Sequence, residues 1–334
     1  MKVLGIETSC DECSVAVVED GKKILSNIIA TQIEVHRTFY GVVPEIASRT
    51  HTEWILPVVR EALSTAGLAP AEIDGVAATS RTGLSGSLLV GLSFAKGFAA
   101  ARSLPFVAVN HILAHIYAIQ LEKEVEYPFI GLLVSGGHTI ISIVESFDSM
   151  KVLGTTIDDA CGEAFDKVAK YYDFGYPGGV VIDRLSQSGD PDAYRFPDPS
   201  LHKGKHRYDV SYSGLKTAVI NQLSQFKKSD EPDSPENIAA SFQKAAIGML
   251  VRRVERAVKD TGIKLVVAGG GVAANSFLRK ELASKTDVDV YFPSLKLCTD
   301  NGAMVAAAAY NGFWRGRRSG LELSPDPALP LLSD

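Results

Sequence analysis

The sequence predicts a soluble α/β protein made of two duplicated lobes with a nucleotide site between them. Three observations lead there. At 334 residues the chain is too long for one ordinary core, so two domains of about 150 residues each are expected. The segment from Leu4 to Glu19 is echoed by that from Ile130 to Glu145, with Gly5 matching Gly131, Ser9 matching Ser135, and Val-Glu closing both. A second echo sets Gly75-Val76-Ala77-Ala78-Thr79, a glycine-bearing loop and a helix near Ser87 to Ala101 beside Lys264-Leu265-Val266-Val267-Ala268, Gly269-Gly270-Gly271 and a helix near Ser276 to Ala283.

Taken in chain order, Met1-Lys2-Val3-Leu4-Gly5-Ile6-Glu7 meets an acidic side chain within seven residues, so it reads as a first strand rather than a secretory signal. Each copy of the first echo is a strand, a tight turn of small residues and a strand of alternating Val or Ile, which is a hairpin pattern. Backbone N–H groups at such a tip suit anions, phosphate above all. A glycine loop alone equally serves to relieve crowding between strand and helix; alongside two phosphate-type hairpins in a duplicated chain it reads as a nucleotide site. Cys10-Asp11-Glu12-Cys13 lies inside a strand-turn-strand pattern rather than at a helix start, which favours reduced thiols in a cytosolic protein over a redox or metal pair. The apolar stretch from Ala303 to Phe313 is well short of a bilayer span. A cytoplasmic protein with no membrane segment is expected.

A net charge of -5 argues against a broad electrostatic footprint for nucleic acid. Two short basic runs, from His202 to Arg207 and from Arg315 to Arg318, are local alternatives that also fit solvated loops. His111 and His115 stand four apart, on one face of a helix, where two imidazoles can share a metal ion. With a remote carboxylate such as Asp300 they would leave coordination positions open, as a catalytic metal needs. Ordinary core or surface histidines have the same spacing. Asp159, Glu163 and Asp166 fall on one helical face; stabilisation of acidic side chains in a first helical turn by the helix dipole accounts for Asp158 and Asp159 but not for Asp166, two turns in. Asp166 and Asp183 carry carboxylates, acceptors that suit the binding of hydroxyl groups. His138 either donates to a phosphate or fills its turn. Ser213 reads as a helix cap and Lys216 as a solvated side chain.

Taken together the pattern resembles the actin, sugar-kinase and Hsp70 ATPase superfamily, with its two ribonuclease H-like lobes around a nucleotide cleft. Within it, Ile6-Glu7-Thr8-Ser9-Cys10-Asp11-Glu12, Asn110-His111 with His115, Val134-Ser135-Gly136-Gly137-His138-Thr139 and the run from Asp158 to Lys167 resemble the TsaD (Gcp) family. So do Tyr176-Pro177-Gly178-Gly179, the run from Ser211 to Thr217, Gly270-Gly271-Val272-Ala273-Ala274-Asn275 and the run from Cys298 to Met304. The resemblance implies a lobe of residues 1–108, to which 303–334 return, and a second lobe of 109–302 carrying the metal and adenylate motifs. It implies transfer of a threonylcarbamoyl group from threonylcarbamoyl-AMP to the exocyclic amine of the adenosine beside the tRNA anticodon. It assigns a metal, iron or zinc, to His111, His115 and Asp300. It assigns adenylate contact to Leu133, Val134, Ser135, Gly136 and Gly137, and further substrate contacts to Asp166, Gly179, Asp183 and Asn275. ATP or AMP in the cleft, tRNA, a non-catalytic paralogue (TsaB-like) and a P-loop ATPase (TsaE-like) complete the implied ligands and partners.

Three positions depart from the family pattern. Cys13 replaces Thr or Ser, Tyr40 replaces the first glycine of a Gly-Gly pair, and Arg81-Thr82 replaces Gly-Pro, which puts the shape of that loop in question.

In the implied reaction the adenine amine is a poor nucleophile, so a positioned base should help remove its proton. Asp11, or Glu12 beside it, is the candidate, with turn formation as the alternative role for both. Two rival functions use the same sequence differently. An ATP-dependent phosphotransferase of the sugar-kinase kind has no use for the histidine pair, and a non-catalytic scaffold has no need of complete metal and glycine motifs. A metalloprotease would want Glu directly after the first histidine, where Ile112 stands.

Overall fold

The computed structural model describes residues 1–147, 149–197, 204–228 and 233–328. The chain divides into two units, the first made of Met1–Val125 with a return at Pro293, the second of Glu126–Phe292. This differs from the expected breaks after residues 108 and 302: the stretches around His111, His115 and Asp300 belong to the first unit. The physical reason is packing, because Ala114 and Ala118 share a buried cluster with Val3, Ala16, Ala306 and Ala309 of that unit.

The first unit opens with β1 (Lys2–Glu7), β2 (Glu12–Glu19) and β3 (Lys23–Thr31), an antiparallel meander. After α1 (Ile33–His36) and α2 (Pro44–Ala66), β4 (Gly75–Arg81) adds parallel to β1. Then α3 (Ser85–Arg102) leads to β5 (Phe106–Asn110), parallel to β4, and α4 (His111–Tyr117) follows at once.

The second unit repeats the plan with β6 (Phe129–Val134), β7 (Thr139–Ser146) and β8 (Ser149–Thr155) as the meander. Four helices come next: α5 (Cys161–Tyr171), α6 (Gly178–Ser186), α7 (Ser213–Asn221) and α8 (Pro235–Thr261). Then β9 (Leu265–Gly269) pairs parallel to β6, α9 (Ser276–Ala283) crosses over, and β10 (Asp289–Tyr291) pairs parallel to β9. Back in the first unit, α10 (Leu295–Cys298) and α11 (Gly302–Trp314) follow.

The duplication extends to strand register. The sheets run β3-β2-β1-β4-β5 and, in the matching direction, β8-β7-β6-β9-β10. Gly5 pairs with Ala16, and Gly131 with Ser142, positions that the sequence echo aligns with each other. Period-2 alternation divides the first sheet between two cores. Leu4, Ile6, Val15 and Val17 face Val59, Leu63, Leu92 and Ala95 of α2 and α3. Val3, Ala16 and Val18 face Ala306, Ala309 and Phe313 of α11. Each such Val or Leu, fully buried, contributes about 1.5–3 kcal/mol.

Candidate functional site

In the first unit, parallel pairing carries β5 to Asn110, whose side chain accepts the Ile112 amide at 2.9 Å and starts α4. His111 and His115 are therefore one turn apart, their ring centroids separated by 4.5 Å and the planes crossed at 84°. The third member arrives from the return segment. Asn301 caps α11 by accepting the Met304 amide at 3.0 Å, and Ser14 of β2 accepts the Gly302 amide at 2.8 Å. These bonds hold Asp300 so that its Oδ1 lies 3.0 Å from His115 Nε2 and 3.7 Å from His111 Nε2.

The three donors fit a divalent ion. Ligands roughly 2.1 Å from a tetrahedral centre sit roughly 3.4 Å from one another. The two measured separations bracket that value, and all three ligand atoms fall within 4.8 Å of one another. Behind His111 stands Glu7, at the end of β1 and fully buried, with Oε2 3.1 Å from His111 Nδ1. Burial raises the Glu7 carboxyl, but the His111 charge and hydrogen bond, with a smaller contribution from the Ser9 side chain, outweigh it and hold the group below its usual range. Burial likewise lowers His111, yet the Asp300 and Glu7 carboxylates push it up to about 9. Burial and the neighbouring His111 charge lower His115, whose Nδ1 is buried with no hydrogen-bond partner.

The turn from β1 into β2 carries Asp11 and Glu12. Its backbone is anchored from outside: His51 of α2 donates from Nε2 to the Cys10 carbonyl at 2.9 Å, and the Gln32 amide donates to the Asp11 carbonyl at 3.1 Å. His36, Gln32 and His51 are all fully buried. Burial pushes the Glu12 carboxyl well above its usual range, and the Asp11 and Asp300 charges add to the rise.

The second unit places Ser135-Gly136-Gly137-His138 at the matching turn, between β6 and β7. The Ser135 amide donates to the His138 carbonyl at 2.8 Å, and Ser135 Oγ accepts the His138 amide at 3.1 Å. Gly136 and Gly137 are exposed, and a Cβ on either would meet nothing within 4 Å. Packing does not demand glycine there, whereas close approach of a ligand to the backbone would. Gly270 is the opposite case. Its φ is +90°, and a Cβ would lie 2.5 Å from the Val134 carbonyl oxygen, so glycine lets the loop after β9 touch the end of β6.

A match to a protein-family model decides the kinship: residues 23–307 fit the model described as TsaD, tRNA N6-adenosine threonylcarbamoyltransferase. The chain belongs to the TsaD family. A Treponema denticola protein named tRNA N6-adenosine threonylcarbamoyltransferase is 63% identical over 96% of this chain and 94% of its own length. Among solved structures, component A of Acidaminococcus fermentans (R)-2-hydroxyglutaryl-CoA dehydratase matches with a TM-score of 0.58 at 16% identity, covering 93% of this chain and 98% of its own. The ROK hexokinase of Thermus thermophilus matches with a TM-score of 0.50 at 16% identity, over 95% of this chain and 100% of its own. At such identities the likeness concerns fold alone, and the fold is two duplicated α/β units of the actin-like ATPase type.

Against the TsaD expectations, the structure brings His111, His115 and Asp300 together inside a single unit. In the segment expected to contact adenylate, Leu133 and Val134 end β6 and are fully buried, and Ser135, Gly136 and Gly137 lie in the turn that follows. Asp166, Asp183 and Asn275 each serve a helix start. Asp166 accepts the Gly178 amide at 2.7 Å, Asp183 accepts the Ser276 amide at 3.0 Å, and Asn275 accepts the Leu278 amide at 2.9 Å. Gly179 follows Gly178 at the start of α6, and a Cβ there would also meet nothing within 4 Å.

Some expected roles change. Asp158 and Asp159 precede α5 rather than occupying its first turn. Asp158 accepts from the Ser211 and Ser213 hydroxyls at 2.5 and 2.7 Å and from the Tyr212 and Ser213 amides at 2.7 and 3.1 Å. Ser213 is thus the first residue of α7, not its cap. Lys216 is not simply solvated, since it pairs with Asp159 at 2.5 Å.

At the three TsaD departures, Cys13 is a buried core residue of β2, behaving as a small hydrophobe. Tyr40 and Thr82 take left-handed φ values of 53° and 52°, and the Thr82 amide donates to Asp326 at 3.1 Å. The loop at 81–82 therefore has a shape that proline, fixed at negative φ, cannot take at position 82. Of the basic runs, His202 and Lys203 lie outside the described residues. Arg207 sits 3.8 Å from Asp260, while Arg315, Arg317 and Arg318 are exposed. Among the described residues no helix is long and apolar enough to cross a membrane. Glu7, Thr79 and the Gln32–His36–His51 group had no assigned role in the sequence reading; a glutamate ending an otherwise apolar strand was the available signal for the first.

Proposed function

We infer that this chain is a tRNA N6-adenosine threonylcarbamoyltransferase, moving the threonylcarbamoyl group of threonylcarbamoyl-AMP to the exocyclic amine of the adenosine adjacent to the tRNA anticodon. The observation that carries this reading is the convergence of buried His111 and His115 with half-buried Asp300 in a chain whose residues 23–307 match the TsaD model. The amine nitrogen bonds to the carbamoyl carbon, the bond from that carbon to the phosphate oxygen breaks, AMP departs, and the amine loses one proton.

Asp11 is the proposed acceptor of that proton, in a turn fixed through the Cys10 and Asp11 carbonyls. Glu12, whose carboxyl is pushed up by burial and by the Asp11 charge, is the neighbouring alternative. An iron or zinc ion held by His111, His115 and Asp300 would supply a Lewis acid toward phosphate or carbonyl oxygens. The Ser135-Gly136-Gly137 backbone would receive the adenylate phosphate, of the donor or of ATP or AMP. Asp166, Gly179, Asp183 and Asn275 would contribute through the helix starts they build.

The net charge of -5 leaves little general attraction for tRNA. Exposed Arg315, Arg317 and Arg318 and partner proteins, a TsaB-like paralogue and a TsaE-like P-loop ATPase, would supply the rest, in the cytoplasm. The test is to incubate metal-loaded protein and partners with synthetic threonylcarbamoyl-AMP and unmodified tRNA. Mass spectrometry should find threonylcarbamoyladenosine, and its absence from the complete mixture would sink the reading.

A further inference from the structure

We propose that Glu7 is a positioning residue that holds the proton of His111 on Nδ1 and so presents Nε2 of that ring as a ligand. The inference rests on the metal reading of the site and adds to it a residue outside the ligand set.

The Glu7 carboxylate is fully buried at the end of β1, where an unsatisfied charge would be costly. Three donors surround it. The Ser9 amide donates to Oε1 at 2.6 Å, while Thr79 Oγ1 and His111 Nδ1 donate to Oε2 at 2.5 and 3.1 Å. Ser9 Oγ also lies 3.2 Å from His111 Nδ1, but a hydroxyl can donate or accept and imposes no tautomer. An ionised carboxylate only accepts, so the nitrogen facing it carries the hydrogen and the lone pair of a neutral ring is on Nε2. That nitrogen faces Asp300, at 3.7 Å. His115 lacks such support, because its buried Nδ1 has no partner.

Strand pairing builds this arrangement. Glu7 ends β1, and Thr79 belongs to β4, which lies parallel beside it. The carboxylate is therefore fixed by the sheet and not by the helix it orients, an outer partner of the kind that aims metal-binding imidazoles.

Glu7→Gln distinguishes charge from shape. The Ser9 amide can only donate, so it claims the single oxygen of the glutamine. The NH2 group then faces His111 Nδ1, which must accept, and the ring hydrogen moves to Nε2, where it blocks coordination. Metal affinity should fall about 10–100-fold, the usual cost of losing an outer partner.

The experiment measures cobalt(II) and zinc affinity by chelator competition in the full-length wild-type chain and in Glu7→Gln, His111→Ala and Val59→Ala. The last is a core substitution in α2 that controls for lost stability. A loss of about 10-fold or more in Glu7→Gln with Val59→Ala near wild type is the expected result. Equal affinity of Glu7→Gln and wild type would overturn the role of Glu7 and leave the metal reading intact. Wild-type affinity that His111→Ala does not alter would overturn both. Should Glu7→Gln fail to fold, 15N NMR of zinc-loaded wild type decides: the histidine signal lost in His111→Ala should show a protonated Nδ1 and a metal-bound Nε2. The reverse assignment would overturn the proposal.

Discussion

The Asp300 carboxylate lies 3.0 Å from His115 Nε2, although 185 residues separate the two in the chain. Only the return of the polypeptide to the first unit brings them together. Asp300→Ala should therefore leave α4 folded while reducing metal affinity at least about 100-fold, more than loss of an outer partner would. Metal content after dialysis, measured by mass spectrometry, checks this, with circular dichroism as the control for fold.

Two glycines of the second unit should behave oppositely. Gly270→Ala strains a left-handed backbone and drives a methyl against the Val134 carbonyl, so it should cost about 1–3 kcal/mol and lower the melting temperature. Gly136→Ala has open space and should melt like wild type while binding AMP more weakly. Calorimetric titration with AMP and a thermal melt of each variant would separate the two effects.

The carboxylate of Asp158 should make stability depend on pH. Burial raises it, but donation from Ser211, Ser213 and the Tyr212 and Ser213 amides prevails and holds it below the usual carboxylate range. A carboxyl depressed on folding contributes above its unfolded value, and the contribution is lost as pH falls toward the folded one. Asp158→Asn should cost up to about 1 kcal/mol at neutral pH, because it removes the charge from a group of hydrogen bonds that solvent partly screens. The gap between variant and wild type should close as the solution is acidified through the carboxylate range. Denaturant titrations at several pH values would reveal a gap that stays constant if the prediction is wrong.

Asp11→Ala should slow single-turnover transfer by at least about 100-fold, the usual scale for a lost general base. Binding of tRNA should not change. Transfer at the wild-type rate would remove Asp11 from the mechanism and turn attention to Glu12.

Much of this architecture was legible in the sequence because the signals were local. The echo of Leu4 to Glu19 in Ile130 to Glu145 anticipated both hairpins, and the spacing of His111 and His115 anticipated one helical face. Long-range relationships were not legible. Glu7 meets Thr79 only because β1 and β4 pair across 72 residues, and Asp158 reaches Ser213 across 55. The unit boundary was misplaced for the same reason: no local feature of 109–125 reveals that Ala114 and Ala118 pack beside α11.

The late arrival of α11 also bears on synthesis. Its residues cover the face of the first sheet that carries Val3, Ala16 and Val18, in strands that leave the ribosome long before it. At 5–20 residues per second, the 185 positions from His115 to Asp300 take roughly 10–40 s to translate. Throughout that interval the nascent chain lacks the helix that covers this apolar sheet face, and His111 and His115 stand without the carboxylate they meet in the folded protein.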